Sequence, residues 1–162
     1  MKKYQNNYAF IDSQNLNLGI RGQGWQLDFA KFFKFIKNKF RASKQFLFIG
    51  YIEKNKKLYS ILEKIGYQII FKPTIDLAGK TKGNVDAELV LHSMIELNNY
   101  DQAVLVSGDG DFYCLVKYLR ENNKLKKLVV PNKYSFSSLL REFERNKNVY
   151  FLNSEKERLE YK

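Results

Sequence analysis

Ala103-Val104-Leu105-Val106-Ser107-Gly108-Asp109-Gly110-Asp111 is an apolar run that stops on small residues and two carboxylates. The apolar part has the length of one buried strand. A charge at the end of such a strand costs free energy unless something neutralises it. The chain repeats the arrangement at its start, where Tyr8-Ala9-Phe10-Ile11 ends in Asp12. In an open parallel sheet the carboxyl ends of the central strands form the crevice in which ligands bind. Two strands that end in acids therefore predict one shared acidic site.

Further strand-like runs surround these two. With Tyr8–Asp12 and Gln102–Ser107, the segments Gln45–Ile52, Tyr67–Lys72, Leu125–Val130 and a short Val149–Leu152 make five or six strands. They are nearly continuous in apolar residues, as expected of strands covered on both faces. Helical spacing lies between them, at Phe29/Phe32/Phe33/Ile36, Leu58/Ile61/Leu62/Ile65, Ala87/Leu91/Met94/Ile95, Leu115/Val116/Leu119 and Leu139/Leu140/Phe143. Strand–helix alternation predicts a mainly parallel α/β sheet with helices on both faces. With 162 residues, no repeat and no linker, a single domain is expected over 1–162, with its core at 6–152 and a short charged tail at 153–162. Leu18–Trp25 reads as an irregular stretch, and Pro73–Asn84 as a long loop of the kind that often serves function.

Asp86 opens the helix-like stretch Val85–Leu97 and adds a fourth acid to Asp12, Asp109 and Asp111. Each acid also has a local explanation. Asp111 can cap a helix starting at Phe112. Asn84 can cap the next helix, with Asp86 and Glu88 favouring its dipole. Asn15 can bond Asp12, face a phosphate or simply turn the chain. Convergence of all four acids demands cations or shifted pKa values. An EF-hand is excluded, because the twelfth position from Asp109 is Arg120. A phosphatase with a second Asp two residues after the first is disfavoured by Gln14, and remains an alternative.

Composition narrows the chemistry. Cys114 and His92 stand alone, so a disulfide within the chain and a Cys/His zinc site are excluded. Oxygen ligands point to Mg²⁺ or Mn²⁺, as one or two ions. His92 reads as a solvated partner of Glu88 and Glu96 one helical turn away. A net charge of +11 suggests a polyanionic partner such as RNA, although Lys-rich usage can also be compositional. Arg21, Lys80 and Lys82 are the candidate phosphate contacts, with Trp25 either a base contact or core. Lys54/Lys56/Lys57 and Lys124/Lys126/Lys127 read as solvated faces. No apolar stretch reaches the ~20 residues of a membrane span, and no signal region follows Met1, so a cytoplasmic location is expected. A homo-oligomer is compatible with the sequence.

Three phrases carry a family resemblance: Phe10-Ile11-Asp12-Ser13-Gln14-Asn15-Leu16, Lys82-Gly83-Asn84-Val85-Asp86 and Val106-Ser107-Gly108-Asp109-Gly110-Asp111-Phe112. In order and spacing the chain resembles the NYN (LabA-like) branch of the PIN-like nuclease superfamily. The resemblance implies a Rossmann-like sheet and Mg²⁺- or Mn²⁺-dependent RNA hydrolysis. It makes Asp12, Asp86, Asp109 and Asp111 the metal-binding and catalytic acids. It sets Asn15 and Ser107 beside them in support, and His92 where relatives often carry an acid. A non-catalytic RNA-binding module that keeps the acids for a structural cation is the second reading.

Overall fold

The computed structural model describes residues 4–77, 80–82 and 85–162, with 75–77 and 80–82 described by backbone alone. Six strands form one sheet: β1 (Asn7–Asp12), β2 (Ala42–Gly50), β3 (Gln68–Lys72), β6 (Ala103–Val106), β7 (Leu125–Val130) and β8 (Val149–Phe151). Their order is β3-β2-β1-β6-β7-β8, and every neighbouring pair is parallel. The two remaining strands, β4 (Ile75–Leu77) and β5 (Lys80–Lys82), make a separate antiparallel pair within the segment read as a loop. Three-residue strands are too short to leave a periodic signal.

Strand alternation sorts the core into two faces. Ala9 and Ile11 of β1 point to a layer with α1 (Ser13–Arg21), α2 (Phe29–Phe40) and α3 (Lys56–Ile65), through Leu16, Ile20, Phe32, Ile36 and Leu62. Tyr8 and Phe10 point the other way, to α4 (Asp86–Ile95), α5 (Tyr113–Glu121) and α6 (Arg141–Arg145), through Leu89, Leu115, Val116, Leu119 and Phe143. The expected α/β sheet with helices on both faces is therefore the observed one.

Two segments depart from expectation. The stretch after Asp12 is helical to Arg21. Its signal is weak because only Leu16 and Ile20 of its nine residues are buried. Gly19 is needed there: an added Cβ would lie 2.7 Å from Pro131 Cβ, so α1 passes too close to the β7 exit for a side chain. The segment 153–162 is no free tail. It includes α7 (Lys156–Leu159), and Leu159 is fully buried in the first core layer beside Trp25 and Leu27. The backbone N–H groups of Asp28 and Tyr161 donate to the carbonyls of Leu159 and Gln26, fastening the segment to the start of α2.

Candidate metal centre

The chain leaves β1 toward β2 on one side and returns through β6 on the other, so the crevice between β1 and β6 is the topological switch point. Asp12, the last residue of β1, is buried there. Its Oδ1 accepts the Asn15 N–H at 3.3 Å, so the same carboxylate caps α1. Its Oδ2 accepts the Ser107 hydroxyl at 3.1 Å. Ser107, just past β6, also accepts the Asp109 N–H on its Oγ at 3.1 Å. The Asn15 side-chain oxygen accepts the Gly108 N–H at 2.8 Å. These bonds lock the β1 and β6 loops together and fix the Asp12 oxygens.

Asp109 caps the 3-10 turn Gly110–Phe112, its Oδ1 accepting the Asp111 N–H at 2.9 Å. Asp86 opens α4, where the helix dipole favours negative charge. One oxygen each from Asp12, Asp86 and Asp109 lies within 4.8 Å of the others. They line a cleft of about 270 Å³ together with Gln14, Asn15, Leu18 and Val85. Burial pushes the Asp12 carboxyl above its usual range, and the Asp109 charge adds to this. Hydrogen bonds from Asn15, Ser107 and Gln14 act in the opposite direction.

Asp111 stands outside this group among the described residues. It is exposed, because the turn capped by Asp109 carries the next-but-one residue outward. The helix cap expected of Asp111 is not made: α5 follows Phe112 without a side-chain cap, and Asp109 caps the preceding 3-10 turn instead. Gly110 lets that turn lie against Ser137, whose hydroxyl an added Cβ would strike. The cap expected of Asn84 lies outside the described residues, as do the side chains of Lys80 and Lys82. Arg21 is exposed on the last turn of α1, and Trp25 is core.

His92 is not a solvated partner of Glu88 and Glu96. It lies half-buried against the Phe46 and Phe48 rings, with centroids 5.6 and 5.8 Å away. Glu88 instead faces Lys72 at 3.7 Å, and Glu96 accepts the Asn99 amide. Lys124 also departs from a solvated face, since its ammonium donates to the Leu97 and Tyr100 carbonyls at 2.9 and 2.6 Å. Gln14, Leu18 and Val85 line the cleft without having been singled out as cleft residues. The nearness of Gln14 to Asp12 and of Val85 to Asp86 in the sequence is the signal that could have marked two of them.

Acids thus end or follow two adjoining strands, with a third at a helix start, at the switch point of a parallel α/β sheet. The NYN domain model matches residues 8–155. The chain belongs to the NYN domain family. The match spans every element that positions the NYN acid cluster. The fold is also similar to that of a solved protein of unknown function from Vibrio parahaemolyticus RIMD 2210633. The TM-score is 0.74 at 23% identity, covering 94% of this chain and 96% of that one. No curated protein matches this NYN chain significantly. Its Asp12, Asp86 and Asp109 can hold a divalent cation: the donors are all hard oxygen, and a cation offsets the cost of burial and, to a lesser degree, the Asp109 charge, which raise Asp12. Among the described residues, no helix is long and apolar enough to cross a membrane.

Proposed function

We propose that the protein is a metal-dependent ribonuclease that hydrolyses internal phosphodiesters of RNA, with Mg²⁺ or Mn²⁺ held by Asp12, Asp86 and Asp109. The observation that carries this reading is the convergence of these three carboxylates within 4.8 Å at the switch point of an NYN fold. The net charge of +11 favours a polyanionic substrate. A divalent cation at such a cluster supplies activation of water at neutral pH and offsets charge on the scissile phosphate.

The remaining roles belong to the chain. Ser107 and the Asn15 N–H each hold one Asp12 oxygen, so the carboxylate keeps its orientation whether or not it is charged. Asn15 ties the Gly108 backbone to α1, which keeps Asp109 at a set distance from Asp12. Asp111, exposed beside the cleft, acts through water. Arg21, with Lys80 and Lys82, contacts substrate phosphates. No histidine is needed as a general base.

The test is incubation of labelled single- and double-stranded RNA and DNA with Mg²⁺, Mn²⁺ or EDTA. Wild type is run beside the Asp12→Asn, Asp109→Asn double variant. RNA cleavage that requires the ion and disappears in the variant is expected. Wild type that cuts nothing with either ion, or a variant that cuts equally well, overturns the reading.

A further inference from the structure

Next to the acid cleft lies a second cavity, of about 440 Å³, within the range of about 300–1,000 Å³ common for small-molecule sites. It shares Gln14 and Val85 with the acid cleft, so the two adjoin at these side chains. Phe48, Tyr59 and Leu62 supply buried apolar wall. Its polar lining includes Ser13, Gln14 and Asn17 of α1, Gln26 after it, Asn55 before α3, and Thr74. Among the described residues, Arg21 is its only charged lining residue, and none is acidic.

Among the described residues, the side-chain amides of Asn17, Gln26 and Asn55 make no hydrogen bond to the protein. Asn is a favoured helix cap, yet Asn55 occupies the N-cap position of α3 and makes no side-chain cap bond. Several amides elsewhere in the chain are committed to the fold. The Asn15 oxygen accepts from Gly108, Gln23 donates to the Gly19 and Pro131 carbonyls, and Asn7 donates to the Phe40 carbonyl. A cavity that combines apolar walls, several neutral amides and a single arginine suits a flat neutral group with a polar edge better than a bare phosphate or cation. It matches the edge of a nucleobase, which presents N–H donors and carbonyl or ring-nitrogen acceptors around an apolar face.

We infer that this cavity is a nucleobase site, receiving the splayed-out base of a nucleotide that flanks the phosphate at the acid cluster. Naming an RNA base as the occupant rests on the nuclease reading; the nucleobase chemistry rests on the cavity. Arg21, at the cavity and one helix turn beyond Asn17, is then positioned for the phosphate on the far side of that nucleotide. Base preference in substrate choice is decided by Asn17, Gln26 and Asn55, which do not touch the acids.

The test follows the side-chain amide NMR signals of Asn17, Gln26 and Asn55 in the full chain. Uridine, cytidine, adenosine, guanosine and plain ribose are titrated in turn. At least one nucleoside should shift these signals, and ribose should not. Asn55→Ala and Gln26→Ala should each weaken that nucleoside by about 3- to 10-fold, the worth of one neutral hydrogen bond. Nucleosides that behave like ribose, shifts confined to other residues, or variants that bind as wild type overturn the site. Nucleosides contain no phosphodiester, so the outcome does not depend on cleavage. Nucleoside binding in a protein that cuts no RNA supports the cavity and refutes only the nuclease reading. RNA cleavage without nucleoside shifts refutes only the cavity. A second arm, in EDTA, compares nucleoside 5′-monophosphates with RNA tetramers of the same base. Tighter binding of the tetramer at the same signals supports an RNA chain, and equal binding identifies a free nucleotide and overturns that assignment.

Discussion

Replacing Asp109 by Asn removes a charge from the acid cluster while sparing the turn that carries it. An Asn keeps a carbonyl oxygen for the Asp111 N–H, now 2.9 Å from Asp109 Oδ1. What disappears is one negative charge within 4.8 Å of two others. At 4.8 Å each like-charged pair costs about 3.5 kcal/mol at an effective dielectric of ~20, and about 0.9 kcal/mol in bulk water. Asp109 is partly exposed, so solvent screening brings the relief nearer the lower figure, about 1–2 kcal/mol over both pairs. In EDTA the variant should therefore melt about 2–8 °C above wild type. Mn²⁺ at tenfold excess over Kd should stabilise wild type by about 1.4 kcal/mol, or about 3–6 °C, and the variant far less. Asp109→Ala, which also loses the cap, should fall below Asp109→Asn by about 1 kcal/mol. Thermal melts of the three proteins in EDTA and in Mn²⁺ read all of this. An Asn variant that melts well below wild type in EDTA, together with a wild type indifferent to Mn²⁺, would refute the cluster and the nuclease mechanism built on it.

Ser107→Ala deletes the hydroxyl that donates to Asp12 and accepts from the Asp109 N–H. It should cost about 1–3 kcal/mol of stability and weaken Mn²⁺ by about 10- to 100-fold, read by urea melts and calorimetric titration; unchanged affinity would remove Ser107 from the site's support. Leu159→Ala should cost about 2–5 kcal/mol in urea unfolding, because the side chain is fully buried. A loss well under 1 kcal/mol would mean that the last helix is not part of the core. In Gly19→Ala a helix-propensity gain of about 1 kcal/mol opposes overpacking of about 1–3 kcal/mol against Pro131, and the contact at 2.7 Å makes net destabilisation the expected result; a more stable variant would show that the β7 exit yields easily. RNA affinity should fall linearly with salt on logarithmic axes as Lys and Arg displace counterions. Binding that stays flat from low to moderate salt would count against a phosphate-tracking surface.

Much of the fold was legible because it is written in local pattern. The apolar runs at Tyr8–Ile11 and Ala103–Val106 have the length and composition of strands covered on both faces, and the helical spacings between strands favour parallel pairing. Helix α1 was missed because Asn, Gly and Gln interrupt its short apolar stripe. What holds it is the Asp12 cap and close packing on Pro131, both set by neighbours. The terminal helix α7 is four residues long and contributes a single fully buried side chain, too little for any periodicity. His92 misled because helical spacing places it near Glu88 and Glu96, whereas the β2 ring faces that attract it lie far away in sequence.

The candidate site divides in the same way. Carboxylates at strand ends were visible from the sequence, since a charge after an apolar run is costly wherever it sits. Which of them meet was not. The sequence Asp-Gly-Asp offers both Asp109 and Asp111 to the site, and it is the 3-10 turn that puts one into the cleft and the other to solvent. Likewise the neutral amides of Asn17, Gln26 and Asn55 look like ordinary loop and helix-surface residues until α1, β2 and α3 are brought around one cavity. The chain by itself determined the strands, the layers and the acids, because these follow from the burial and period of neighbouring residues. The tertiary structure alone decided that β6 lies beside β1, and therefore that Asp12 and Asp109 share one crevice. Pairing of strands so distant in sequence is set by the packing of both core layers together, a cooperative energy that no local window contains.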